Sequence, residues 1–175
     1  FRDVFSPDRK INILSAARLF LFGSRDIWFV VGLPVFLAAE LGWSHIEVGT
    51  YMAAWVIGYG FIQAIAPKML RAQSHEPDGR TARLWIVALI AVTVAIASAV
   101  QQGFAPEFAV LAGLLVFGVV FAINSSLHSY LILAYADGDK VAMNVGFYYM
   151  SNAMGRLVGT ILSGAAYFYG WLDVL

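Results

Sequence analysis

Of eleven basic residues in this chain, three, Arg18, Arg25 and Arg156, interrupt long apolar stretches. A cation at bilayer depth costs roughly 2.5–3.5 kcal/mol even on the lenient insertion scale, so it is kept where it faces protein, water or a ligand. The planar guanidinium fork donates two parallel hydrogen bonds to phosphate or carboxylate. Three such groups against one acid in the same stretches, Asp26, point to a path or pocket for an anion. Asn124, Asn152 and Tyr148 could supply neutral hydrogen bonds beside them. Asp26 and His128 are the groups through which proton movement could be coupled to that anion.

Spacing supports a common site. Arg18 and Arg25 are seven apart, so they share a helix face with Phe22 and Phe29. Asn144, Tyr148, Asn152 and Arg156 step by four and form a polar stripe, which should face protein or water. At a rise of 1.5 Å per residue, Arg25 lies about 21 Å from the cytoplasmic end of its helix and Arg156 about 22 Å. Asn124 and Asn152 come to about 18 and 16 Å, and Arg18 and His128 to about 10 and 12 Å. Arg25, Arg156, Asn124 and Asn152 thus form a layer near the midplane, the depth at which transporter substrates bind. Arg18 either guides an anion at the mouth or snorkels to the surface. Asp26 follows Arg25 directly and points about 100° away, so it is not an automatic partner. The asparagines also serve as ordinary interhelical glue, and His128 as a hydrogen-bonded interior histidine.

These side chains must be positioned by helices in a bilayer. The 175 residues are 61% hydrophobic and 13% charged, where a soluble domain is nearer one-quarter charged. Residues 84–106, 108–136 and 48–67 lack Asp, Glu, Lys and Arg altogether. A helix needs about 20 apolar residues to cross. The expectation is an all-α polytopic membrane protein with five transmembrane helices, about 11–39, 46–66, 83–102, 107–136 and 141–170. Pro34 with Gly32 could bend the first. Residues 1–10 form a cytoplasmic segment and 67–82 a solvated cytoplasmic loop. The third span, with only Thr93 and Ser98 as interior polar groups, reads as peripheral. Gly155, Gly159 and Ser163 mark a close-packing face.

One side of the bilayer collects Arg2, Arg9, Lys10, Lys68, Arg71, Arg80, Arg83 and Lys140; the other has no Lys or Arg. That asymmetry puts the N-terminus in the cytoplasm. Trp43, Trp85 and Trp171 fall near span ends, as interfacial aromatics do. With no cysteine, disulfides, thiolate metal sites and thiol nucleophiles are excluded. No HExxH, P-loop or serine-nucleophile pattern occurs, so neither enzyme chemistry, a metal nor a cofactor is expected. The start at Phe1 and the stop at Leu175, just after an apolar segment, read as a fragment of something longer.

The basic Asp78-Gly79-Arg80-Thr81-Ala82-Arg83 between the second and third spans resembles the cytoplasmic loop motif of the major facilitator superfamily. Pro67 and inserted residues depart from that motif. The run Ile11–Pro34, then Trp55-Val56-Ile57-Gly58-Tyr59-Gly60, then Asn144–Arg156, are similar to the C-terminal half of the ArsJ-type organoarsenical efflux permeases. The resemblance covers about residues 11–170. It implies five helices of a major-facilitator-type six-helix half, in a bacterial inner membrane. The N-terminal half and the last helix would be missing partners. It further implies export of 1-arseno-3-phosphoglycerate, a small organic anion, and a functional link to a glyceraldehyde-3-phosphate dehydrogenase. Beyond membrane lipid no other partner, and no nucleic acid, is implied. The residues themselves say only "anion"; another organic phosphate, a drug, or a non-transporting scaffold or receptor stay open.

Overall fold

A computed structural model describes residues 6, 8–71, 78–136 and 141–169, without the side chains of 70 and 71. The described residues form six helices and no strand: α1 (Arg9–Phe29), α2 (Gly32–Ala39), α3 (His45–Arg71), α4 (Gly79–Gln101), α5 (Pro106–Tyr135) and α6 (Val141–Phe168). Trp171, Lys140 and residues 137–139 lie outside the described residues.

Local chemistry sets the helix ends. Asp8 caps α1, its carboxylate accepting the Lys10 backbone N–H at 2.8 Å. Ser44 and Glu47 form a reciprocal capping box at the head of α3: the Ser44 N–H donates to the Glu47 carboxylate at 2.8 Å, and the Glu47 N–H to the Ser44 hydroxyl at 3.3 Å. Asp78 caps α4 by accepting from the Arg80 and Thr81 N–H groups at 2.9 and 3.0 Å.

The first expected span is two helices. The Pro34 ring would clash with the carbonyl four residues back, that of Val30. The chain breaks there, between the end of α1 at Phe29 and the start of α2 at Gly32. The loop expected over 67–82 also needs correction. Pro67 and residues 68–71 continue α3, and residues 79–82 already belong to α4. Pro67 forfeits one hydrogen bond, a loss that long apolar helices tolerate where nearby groups satisfy the freed carbonyl. Residues 72–77 lie outside the described part.

Among the described residues, four segments are long and apolar enough to cross a membrane: Arg9–Ala39, His45–Met69, Gly79–Gln101 and Pro106–Tyr135. The fifth expected span, α6, has 28 residues and hence the length, but it is not among these four. Asn144, Asn152 and Arg156 dilute its apolar character. In α1 the polarity is inverted relative to a soluble helix: Phe20 is 72% exposed while Arg18, Arg25 and Asp26 are buried. An apolar exterior around a charged interior is the pattern that a lipid solvent favours. Only 6% of the most apolar stretch of α4 is buried, as its uninterrupted hydrophobic sequence predicts for a peripheral helix.

The described residues divide into two compact units, one within 1–37 and 128–169, the other within 38–127. In the first unit α1 and α6 run parallel in close contact. A Cβ placed on Gly155 would strike the Leu19 backbone, and one on Gly159 would sit 2.5 Å from the Gly23 carbonyl oxygen. The Gly155–Gly159 face thus brings backbone against backbone, as expected of small residues four apart. The end of α5 runs antiparallel to α1, with the Lys10 ammonium 5.5 Å from the centre of the Tyr135 ring.

In the second unit α3 and α5 run parallel. The Tyr51 hydroxyl donates to the Leu111 carbonyl at 3.4 Å, and the buried Trp55 indole N–H to that of Leu114 at 2.8 Å. Further along both helices, Tyr59 and Gln63 reach the Ser125 hydroxyl at 3.4 and 3.3 Å. Parallel α1 and α6, and parallel α3 and α5, are what alternating crossings by the expected spans require.

Candidate anion site

The first unit holds all three interior arginines, and α1 carries two of them on its buried face. Arg25 and Arg156 share one carboxylate. The Arg25 Nε–H donates to Asp26 Oδ1 at 2.6 Å, and the Arg156 Nε–H donates to Asp26 Oδ2 at 3.2 Å. Each carboxylate oxygen therefore serves a different helix. Asp26 is 1% exposed and packs directly against the glycine face of α6, 3.1 Å from where a Gly159 Cβ would stand.

The pairing of neighbours Arg25 and Asp26 corrects the expectation drawn from their 100° separation. That angle describes Cα–Cβ directions. Arginine's flexible stem can swing its fork back to a carboxylate that the α6 contact holds fixed. The two arginines differ in cover: the Arg25 side chain is 11% exposed and that of Arg156 58%.

The exposure of Arg156 corrects the polar stripe. A step of four residues overshoots one turn by about 40°, so three steps carry the stripe about 120° around the helix. The buried face of α6 instead follows Asn144, Tyr148, Ser151, Gly155, Gly159 and Ser163, mixing steps of three and four. Asn152 is half-buried and Arg156 emerges at the edge.

Arg18 forms a second group. It is 4% exposed, so it does not snorkel. Its Nε–H donates to the Asn152 amide oxygen at 3.2 Å. Its guanidinium carbon lies 4.1 Å from the Phe22 ring centre and 5.0 Å from that of Tyr148. These are cation–π contacts. Phe22 also lies 4.8 Å from the Arg25 guanidinium and so stands between the two groups. Arg18 and the His128 imidazole interact electrostatically. His128 is 1% exposed, and its Nδ1 finds no hydrogen-bond partner among the described residues.

No family model, curated protein or solved structure matches the chain. The site is therefore read from its own chemistry. Three arginines against one aspartate leave a net charge of +2 along the α1–α6 contact. Arg156 presents an open fork, while Asp26 occupies its inner side.

Asn124 belongs to the second unit. It is fully buried, and neither atom of its amide has a hydrogen-bond partner among the described residues. Sequence reasoning passed over Gln63, which joins Tyr59 at Ser125. The signal was available: Gln63 is a lone amide in an apolar helix, where such groups seek interhelical partners.

Proposed function

We propose that this chain forms one half of a major-facilitator-type efflux permease for a small organic anion. The observation that carries the reading is the gathering of Arg18, Arg25 and Arg156 along one helix contact with Asp26 as the sole intramembrane acid. Excess buried positive charge needs an anion to offset it, and guanidinium groups recognise phosphate-like oxyanions. On this reading α6 is a fifth span, and the N-terminus faces the cytoplasm of a bacterial inner membrane. The chain's cavity wall is completed by an N-terminal half and a last helix. The resemblance selects 1-arseno-3-phosphoglycerate, which carries several negative charges, as substrate, with arsenate resistance as the outcome. Asp26 and His128 are the groups on which proton coupling would be tested.

A purely structural role is the second reading. It is favoured by Arg25, whose fork is closed on Asp26 in a nearly covered position. Arg156 does not fit it, because its side chain is more than half exposed. Uptake into inverted vesicles bearing the full-length protein separates the readings. Saturable accumulation of 1-arseno-3-phosphoglycerate over 3-phosphoglycerate supports the efflux permease. Equal accumulation of both supports a general organic-phosphate exporter. Accumulation of neither, from vesicles shown to contain the protein, removes the transport reading.

A further inference from the structure

Asp26 holds the inner side of the most exposed arginine of the site, and its two oxygens are divided between a covered partner and an uncovered one. We infer that Asp26 is a built-in stand-in for the transported anion at Arg156: an arriving oxyanion takes Arg156 from Asp26, and Asp26 stays with Arg25. This inference rests on the proposed function and adds which contact exchanges.

The asymmetry decides which bond yields. The Arg25–Asp26 contact is shorter, at 2.6 Å against 3.2 Å, and links side chains that are both nearly covered. The Arg156 contact joins the same carboxylate to a side chain that a ligand can reach from its open side. Guanidinium offers five N–H donors, and the bond to Asp26 Oδ2 uses the Nε–H of Arg156. A phosphate or carboxylate can therefore engage the outer N–H groups first and then displace the carboxylate without leaving the cation bare. Arg25 keeps Asp26 neutralised throughout, so no buried charge is stranded during the exchange. Gly159 lets α6 come close to Asp26: a Cβ there would stand 3.1 Å from the Asp26 Cβ.

A tethered competitor predicts an unusual result: removing an acid that bonds the site tightens anion binding. The test is equilibrium binding of inorganic phosphate and of 3-phosphoglycerate to the purified full-length protein. Asp26→Asn should bind both about 1.5-fold to fivefold more tightly than wild type, the range expected for losing a partly exposed ion pair. Combining it with Arg156→Gln should cancel the gain. A gain that survives Arg156→Gln would be a general field effect and would overturn the exchange, as would unchanged or weaker binding by Asp26→Asn. If Asp26→Asn does not fold, infrared difference spectra of phosphate-bound minus free protein replace it. Wild type should show a carboxylate band that moves in Asp26→Glu; a spectrum with no such band would overturn the inference. Wild-type protein that binds neither probe and transports no organic phosphate would instead count against the proposed function.

Discussion

Gly159→Ala tests how tightly the α1–α6 contact positions the charged cluster. The new methyl carbon would stand 2.5 Å from the Gly23 carbonyl oxygen, 3.1 Å from the Gly23 Cα and 3.1 Å from the Asp26 Cβ. Two of these atoms are backbone, so no flexible side chain can absorb the overlap. Restoring an ordinary contact of 3.4 Å requires α1 to retreat by about 0.9 Å. Carried into the 3.2 Å bond between Arg156 and Asp26, that retreat stretches it to about 4 Å, beyond hydrogen-bonding reach. Overpacking costs about 1–3 kcal/mol. Replacing a helical glycine with alanine returns at most about 1 kcal/mol. After the full helix-propensity return, the net expectation is a loss of up to about 2 kcal/mol together with weakened anion binding. Gly146 and Gly164 provide controls in the same helix, since nothing lies within 4 Å of a Cβ at either. Gly146→Ala and Gly164→Ala should be neutral or slightly stabilising. Thermal unfolding in detergent or nanodiscs, with phosphate binding on the same samples, measures both effects. A Gly159→Ala protein as stable as Gly146→Ala, with unchanged binding, would refute the close contact and the positioning of Asp26 that depends on it.

Three further outcomes follow from individual contacts. Trp55→Phe deletes the indole bond to the Leu114 carbonyl and should cost about 1 kcal/mol, read from thermal or denaturant unfolding. Asn152→Ala removes the amide that accepts from Arg18 and should cost only about 0.6 kcal/mol by the same measurement, the usual value for an interhelical hydrogen bond. The Thr81 backbone N–H, above all, holds the Asp78 carboxyl below its ordinary range, helped by the Thr81 hydroxyl and the Arg80 N–H and charge. A depressed folded value means that the cap is fully formed above the unfolded value of about 3.9 and is lost as pH falls through the lower folded one. Protection of the first-turn amides of α4, taken relative to intrinsic exchange rates at each pH, should therefore fall below about pH 4, and Asp78→Ala should abolish that pH dependence.

Features that depend on one helix at a time were legible in the sequence. Uninterrupted apolar runs marked α4 and α5, and Pro34 marked the break between α1 and α2. Gly155 and Gly159 announced a packing face, although not that α1 would fill it. What escaped depended on side-chain reach and on cumulative helical phase. Arg25 and Asp26 diverge at their Cβ atoms yet meet at their tips. Asn144, Tyr148, Asn152 and Arg156 look like one stripe, but a repeat of four drifts, so its last member leaves the buried face. Pro67 and the polar residues after it resembled a loop, whereas the chain stays helical to Arg71. Ser44 and Glu47 carried a capping box that fixes the head of α3 and that hydropathy alone overlooks.

The central claim is that the interior arginines bind a transported organic anion. Its most direct measurement is uptake of labelled 1-arseno-3-phosphoglycerate into inverted vesicles by full-length wild type, Arg25→Gln and Arg156→Gln, normalised to protein in the membrane. Robust uptake by wild type and background uptake by both variants at equal membrane abundance are expected. Wild-type rates in both variants would contradict it.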